Sequence, residues 1–205
     1  MFWSDSRNRE RILSLVEPST SGVLLDLGCG DGLFTLRVSQ KMGCTQIIGI
    51  DNFYPDILLA RKNLSGSRDI YEWDLNRDFP WTGPSLDVIL ANQIIEHLYD
   101  PDHFLSEIYR FLKPGGYAVI STPNLGAWHN LVFLLMGWQP PMVDVSSKSY
   151  AGNPLKKGKI REGNLGHIRL FTYGAFRDLL HYHGFKIDKL AGSRHSTFLT
   201  ARVVK

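Results

Sequence analysis

Leu24-Leu25-Asp26-Leu27-Gly28-Cys29-Gly30-Asp31-Gly32 decides how this chain folds. Leu24, Leu25 and Leu27 make a short apolar run of the kind buried inside a parallel sheet. An acid stands near its end, and three glycines follow at two-residue spacing. Glycine is required where backbone turns sharply or closely approaches a ligand, because it carries no Cβ. A strand that passes through such a loop into a helix sets a ligand at the carboxyl edge of an open sheet.

The flanking sequence repeats that strand–helix rhythm, which predicts a doubly wound α/β fold. A helix is expected over 9–16, stopped by Pro18. Strands are expected at 23–27, 46–50, 69–73, 86–91 and 117–121, with helices over 33–42 and 56–63. Phe104, Leu105, Ile108, Phe111 and Leu112 recur at helical spacing and place a helix over 102–113, stopped by Lys113-Pro114-Gly115-Gly116. Thr172 reads as the N-cap of a last helix that ends at Gly184, and 185–190 and 198–204 read as a closing antiparallel pair. Residues 124–166 break the rhythm: Trp128, Trp138 and several prolines and glycines occur there without a sustained period, as in an insertion over the carboxyl edge of the sheet.

At 205 residues and 43% hydrophobic, the chain suits one domain over 1–205 with a sizeable core. A net charge of +3 does not call for a nucleic-acid or membrane partner. Cys29 and Cys44 form neither a disulfide framework nor a zinc motif, so a reduced, cytoplasmic setting is expected. The opening residues lack the pattern of a signal peptide, and the longest apolar run, 131–136, is too short to span a bilayer.

The glycine spacing is G-x-G-x-G, without the third glycine of the usual dinucleotide pattern G-x-G-x-x-G. Asp31 in the loop would repel a phosphate. Acids recur at the strand ends: Asp26, Asp51 and Asp74. Asp51 follows an apolar strand, where a carboxylate suits a ribose diol. Asp74, beside Trp73, suits the amino edge of an adenine. Asp26 and Asp31 flank a place for a cationic group. A nucleoside bearing a sulfonium and an ammonium meets all of these demands without a phosphate site.

Leu24 to Gly32, Gly49-Ile50-Asp51, Trp73-Asp74-Leu75, Asp87 to Leu98 and Leu112 to Pro123 resemble the successive motifs of class I S-adenosylmethionine-dependent methyltransferases, in particular the ubiquinone-biosynthesis-like (methyltransferase type 11) group. The resemblance runs over about 25–200. It implies a Rossmann-like seven-stranded sheet, mostly parallel with an antiparallel last strand, and S-adenosyl-L-methionine as cofactor. It also implies a cofactor-binding set of Asp26, Gly28, Cys29, Gly30, Gly32, Asp51, Asn52, Asp74, Leu75 and Asn92, with Asp51 on the ribose, Asp74 on the adenine and Asn92 near the methionine moiety. A nicotinamide-dependent oxidoreductase is the competing class, opposed by the missing glycine and Asp31. A third reading is a regulatory protein that keeps the cofactor pocket without turnover.

Methyl transfer from a sulfonium is an in-line displacement, and a base is needed only when the acceptor must lose a proton. The segment past the fourth strand, Asn92-Gln93-Ile94-Ile95-Glu96-His97, should face the methyl group. His97 is the candidate base, Glu96 its orienting group or a substrate contact, and His167 a residue that could converge on the same cleft; the competing role for each histidine is structural. Glu96-His97 with a distant histidine also resembles the metal-binding set of small-RNA 2′-O-methyltransferases. Gln93 replaces the first glutamate of that set, and losing a charged oxygen weakens a hard-cation site, so no metal is expected. Trp128, Phe133, Leu134 and Trp138 of the insertion either line an apolar pocket or cover the core. Lys156, Lys157, Lys159 and Arg161 either meet an anionic group or form a solvated run. Aromatic and basic residues together would suit single-stranded RNA, but the modest charge favours a small or lipid-like acceptor. The ubiquinone-type likeness favours oxygen as the acceptor atom. The acceptor itself and the oligomeric state are not encoded in these motifs.

Overall fold

A computed structural model describes residues 2–18, 22–65, 68–80, 86–156 and 166–205. Its strands are β1 (Val23–Leu27), β2 (Gln46–Asp51), β3 (Arg68–Glu72), β4 (Leu86–Asn92), β5 (Leu112–Pro123), β6 (Lys186–Ala191) and β7 (Phe198–Val204). The helices are α1 (Phe2–Leu15), α2 (Leu33–Met42), α3 (Tyr54–Asn63), α4 (Pro101–Phe111), α5 (Trp128–Leu135) and α6 (Tyr173–Tyr182). The strands form one seven-stranded sheet in the order β3-β2-β1-β4-β5-β7-β6. All pairings are parallel except those of β7, which runs antiparallel to both β5 and β6. The doubly wound sheet with an antiparallel last strand is therefore present.

Alternation along the strands builds the two layers. Leu25, Ile89 and Ala91 face one side and pack with Phe104, Leu105, Ile108 and Phe111 of α4 and Phe176 and Leu180 of α6. Leu24, Val88 and Leu90 face the other and pack with Ile12 and Leu15 of α1 and Val38 and Met42 of α2. Local signals fix the helix starts. Asp100 accepts from the His103 N–H ahead of α4, and Thr172 accepts from the Ala175 N–H ahead of α6.

The strand order reverses direction between β1 and β4, and the loops after these two strands diverge there. That switch point is where open α/β sheets leave a crevice. Several expected boundaries shift. The first helix begins at Phe2 rather than Arg9, and α3 begins at Tyr54 because Pro55 sits comfortably in a first turn. Strand β5 takes in Lys113-Pro114-Gly115-Gly116, expected as a stop, with a register shift against β4 between Leu86 and Val88. The largest difference lies in 124–166, which contains the eight-residue helix α5. That segment is anchored at both ends: Asn124 bridges Phe171, and the N–H groups of Ile168 and Arg169 donate to the Glu96 carbonyl.

Candidate functional site

The glycine loop after β1 is shaped by its neighbours. Gly28 has φ +79°, and a Cβ there would fall 2.0 Å from Ile94 Cδ1. Gly32 has φ +77° and faces α3, with a Cβ only 3.1 Å from Ala60 Cα. Either substitution adds a left-handed strain to a clash. The loop is tied to β2 by the Gly28 and Cys29 N–H groups on the Ile50 carbonyl and by the Gly30 N–H on Asp51 Oδ2 at 2.8 Å.

Two adjacent hollows lie over the switch point. One, of about 590 Å³, is lined by Gly28, Asp51, Asn52, Phe53, Trp73, Asp74, Leu75, Asn76, Gln93, Ile94, His97, Leu98 and Tyr99. The other, of about 470 Å³, holds Arg9, Asp26, Gly28, Cys29, Gly30, Asp31, Asp56, Asn92, Gln93 and Ile94 among its walls. Both include Gly28, Gln93 and Ile94, so Ile94 crosses the glycine loop as a partition between them. All ten residues expected to hold the cofactor except Gly32 line one hollow or the other; buried Gly32 instead allows α2 and α3 to pack behind the loop.

Each carboxylate is held in a distinct way. Asp51 Oδ1 accepts from the N–H groups of Asn52 and Phe53 at 2.8 and 2.9 Å. With Gly30 on Oδ2, three of its roughly four lone-pair directions are filled, and one on Oδ2 remains for a ligand hydroxyl. Asp74 Oδ1 accepts from the backbone and side-chain nitrogens of Asn76, and the backbone bond leads in holding its carboxyl below the usual range. Asp26 is buried: Thr35 Oγ1 donates to Oδ2 at 2.5 Å, while Oδ1 has no hydrogen-bond partner. Burial pushes its pKa up to about 7, with Asp51 adding repulsion. Burial, reinforced by Asp26, also raises the Cys29 thiol far above its usual range.

The 3₁₀ turn Ile95–His97 follows Gln93, the one non-glycine residue at positive φ (60°) among the described residues. That kink swings the chain off β4, and the Gln93 side chain is pinned to Ser121 Oγ at 3.1 Å. Glu96 lies buried with Thr122 Oγ1 donating to Oε2, and Oε1 has no hydrogen-bond partner. Burial drives its pKa up to about 8. The His97 and His167 rings stand 4.9 Å apart, and one donor atom from each of Glu96, His97 and His167 falls within 4.8 Å of the other two. The expected convergence of His167 is thus present, with its Nδ1 held at 2.7 Å by the Met142 carbonyl. Glu96, expected to orient His97 or to contact substrate, has no hydrogen bond at Oε1, and Thr122 holds Oε2.

Two contributors carried no signal in local sequence. Arg9 of α1 reaches the hollow that holds Asp26, Asp31 and Asp56, so a cation faces three acids there. Asn8, buried, donates to Asn92 Oδ1 at 2.9 Å and to Ser121 Oγ, and accepts from Thr200 Oγ1. Asn92 is therefore positioned by α1. Periodicity marks α1 only as an amphipathic helix; its partners lie 84 and 113 residues away in the chain. Of the insertion's aromatic residues, Trp128 is exposed, and Phe133 packs edge-on against Trp138 at 5.7 Å, so they neither cover the main core nor line either hollow. Lys157, Lys159 and Arg161 lie outside the described residues.

Fold and cleft together define a doubly wound α/β protein whose ligand site sits at the switch between β1 and β4. A family model described as a methyltransferase domain matches residues 3–190, and the chain belongs to that family. A probable S-adenosylmethionine-dependent methyltransferase of Mycolicibacterium smegmatis is 35% identical over 102 residues, covering 49% of this chain and 38% of the relative. A ubiquinone biosynthesis O-methyltransferase of Cereibacter sphaeroides is 34% identical over 117 residues, covering 56% of this chain and 47% of the relative. The matches thus span less than half the length of either relative. Among solved structures, an S-adenosylmethionine-dependent methyltransferase from Mesorhizobium loti superposes with a TM-score of 0.70 at 17% identity over 96% of both chains, a likeness of fold.

Proposed function

We propose that this protein is an S-adenosyl-L-methionine-dependent methyltransferase that methylates an oxygen of a small, partly apolar acceptor. The reading takes 1–205 as a single catalytic domain, with 124–166 as its substrate-side insertion. One observation carries it: Arg9, Asp26 and Asp31 meet in one hollow, while Asp51 and Asp74 line the hollow next to it. An α-amino acid needs both a cation and an anion, an adenosine needs acceptors for its diol and amino group, and no phosphate cradle is wanted. The orphaned Asp26 Oδ1 and the Cβ-free surface of Gly28 fit such a ligand.

When bound, the cofactor supplies an electrophilic methyl group on a sulfonium. The chain's own residues do the rest. Asp51 orients the ribose through its open lone pair, Asp74 and Leu75 hold the adenine, and Arg9 takes the carboxylate. Asn92, fixed by Asn8, borders the methionine end. His97, on the rim of the larger hollow, accepts the acceptor hydroxyl's proton as the oxygen attacks. Positioning of this kind is worth up to about 7–11 kcal/mol in favourable cases.

A second reading of the proton-accepting corner rests on the orphaned Glu96 Oε1 beside two imidazoles: one oxygen and two nitrogens suit a divalent transition metal. The residues fit such an ion, which would lower the pKa of a coordinated acceptor hydroxyl so that its proton could pass to solvent without His97 as base. Turnover after exhaustive chelation separates the two readings: retention keeps His97 as base, and loss restored by added metal replaces it. The central experiment is a screen of hydroxylated acceptors for release of S-adenosylhomocysteine. His97→Ala should lower turnover by roughly 10²–10⁴-fold while leaving cofactor affinity within a factor of about three. Full turnover in that variant would remove His97 from the chemistry.

A further inference from the structure

Ile94 stands where the two hollows meet. Gly28, Gln93 and Ile94 wall both of them, and at their join the Ile94 side chain lies across Gly28. One arm of that side chain makes the contact. A Cβ on Gly28 would fall 2.0 Å from Ile94 Cδ1 and 2.6 Å from Cγ1, but 3.9 Å from Ile94 Cβ. The Cγ1–Cδ1 arm thus reaches over the bare glycine, whose missing side chain leaves it room.

The backbone that carries this arm is tied down on both sides. Gln93 holds its left-handed φ of 60°, uncommon for a residue with a Cβ. Its N–H donates to the Ser121 carbonyl at 3.0 Å, and its side-chain amide donates to Ser121 Oγ at 3.1 Å. Beyond it, the His97 N–H donates to the Ile94 carbonyl at 2.9 Å. The freedom left at position 94 is therefore torsion of the side chain. A β-branched residue is stiff at χ1, so the easier motion is about χ2, which carries Cδ1 alone. Ile94 is half-buried, with the main core behind it and the cleft in front.

What has to cross this point follows from the proposed cofactor, on which the inference rests. Its amino-acid end belongs with Arg9, Asp26 and Asp31 in the smaller hollow, and its nucleoside with Asp51 and Asp74 in the larger. The chain joining those ends has to pass over Gly28, through the space that Ile94 Cδ1 fills. A free nucleoside meets no such obstacle, because Asp51, Trp73, Asp74 and Leu75 all line the larger hollow.

We infer that Ile94 is a gate residue: its Cγ1–Cδ1 arm closes the passage over Gly28 and turns aside only for a ligand that spans both hollows. The binding-competent state is then a minor rotamer, and apparent affinity is lowered by the fraction of time it is open. Every exchange of spent for fresh cofactor has to move the same arm, so Ile94 sets the pace of cofactor entry and product release.

The test is stopped-flow tryptophan fluorescence with S-adenosylmethionine and S-adenosylhomocysteine, reported by Trp73 in the wall of the larger hollow; adenosine is the control ligand. Ile94→Val deletes Cδ1 and keeps the branched Cβ. Association of both sulfur nucleosides should quicken about three- to tenfold, the inverse of an open fraction of roughly 10–30%. Adenosine affinity should stay within a factor of about two. Ile94→Ala, which removes the whole arm, should go at least as far. Ile94→Phe, which fills the passage, should slow both sulfur nucleosides about tenfold or more, with adenosine binding and the thermal midpoint unchanged. Unchanged rates in Ile94→Val and Ile94→Ala, or a parallel loss of adenosine and the sulfur nucleosides in Ile94→Phe, overturn the gate while the cofactor reading stands. Failure of the natural chain and both smaller variants to take up either sulfur nucleoside removes the cofactor reading, and the gate with it.

Discussion

In the proposed site, Asp51 joins folding to ligand recognition. Its three backbone hydrogen bonds fasten the glycine loop to the start of α3, and its fourth lone-pair direction opens to the cleft. Asp51→Ala is expected to weaken S-adenosylmethionine binding by about 1.5–3 kcal/mol, the scale of a hydrogen bond to a charged group; unchanged affinity by calorimetry would remove the ribose assignment. Asp26 makes a second prediction, on pH. Its pKa is about 7 in the fold against 3.8 for the free side chain, because burial disfavours the charge. Between those values the folded chain keeps a proton that the unfolded chain has released. The Asp26 contribution to stability should therefore fall as pH rises from about 4 to 7 and then level, while buried Glu96, shifted the same way to about 8, carries the total fall on to about pH 8. Asp26→Asn should flatten a plot of urea midpoint against pH, and an identical slope in that variant would contradict the assignment. A cationic ligand favours ionised Asp26, so cofactor affinity should rise across the same window, with proton release on binding.

Among the elements, α1 has the least expected role. Its apolar residues cover one face of the sheet, while Asn8 and Arg9 on the same helix reach the far end of β4 and the cleft. Asn8→Ala would strand polar atoms of Asn92, Ser121 and Thr200, at a cost of about 1–3 kcal/mol in stability, and should also weaken cofactor binding by loosening Asn92. A denaturation curve matching the natural protein's would show that the network carries no weight. The contrast with β1, α2 and β7 is instructive. Those three were legible from sequence to the residue, because their apolar spacing is strong and glycine or a turn stops them. The acids at the strand ends were legible for the same reason, since a strand end locates its side chain. Arg9 and Asn8 were not, because only tertiary folding brings α1 to β4. Helix α5 was missed because a core helix pairs an apolar face with a polar one, and 128–136 is apolar almost throughout. Gln93 offered no cue either: its left-handed backbone answers to its bonds with Ser121, not to its residue type.

At the scale of the whole molecule, the sheet separates tasks along its carboxyl edge. The loops after β1, β2 and β3 hold an adenosine-sized hollow, the turn after β4 brings Glu96 and His97 beside it, and the segment after β5 returns His167 to the same corner. Among the described residues no helix is long and apolar enough to cross a membrane. The central claim is that the cleft at the switch point was built for a cation carried on adenosine and not for a dinucleotide's phosphates. Calorimetric titration of the purified chain with S-adenosylmethionine, S-adenosylhomocysteine and NAD tests it most directly. The expected result is saturable binding of both sulfur nucleosides and no heat from NAD; NAD uptake with indifference to the other two would contradict it.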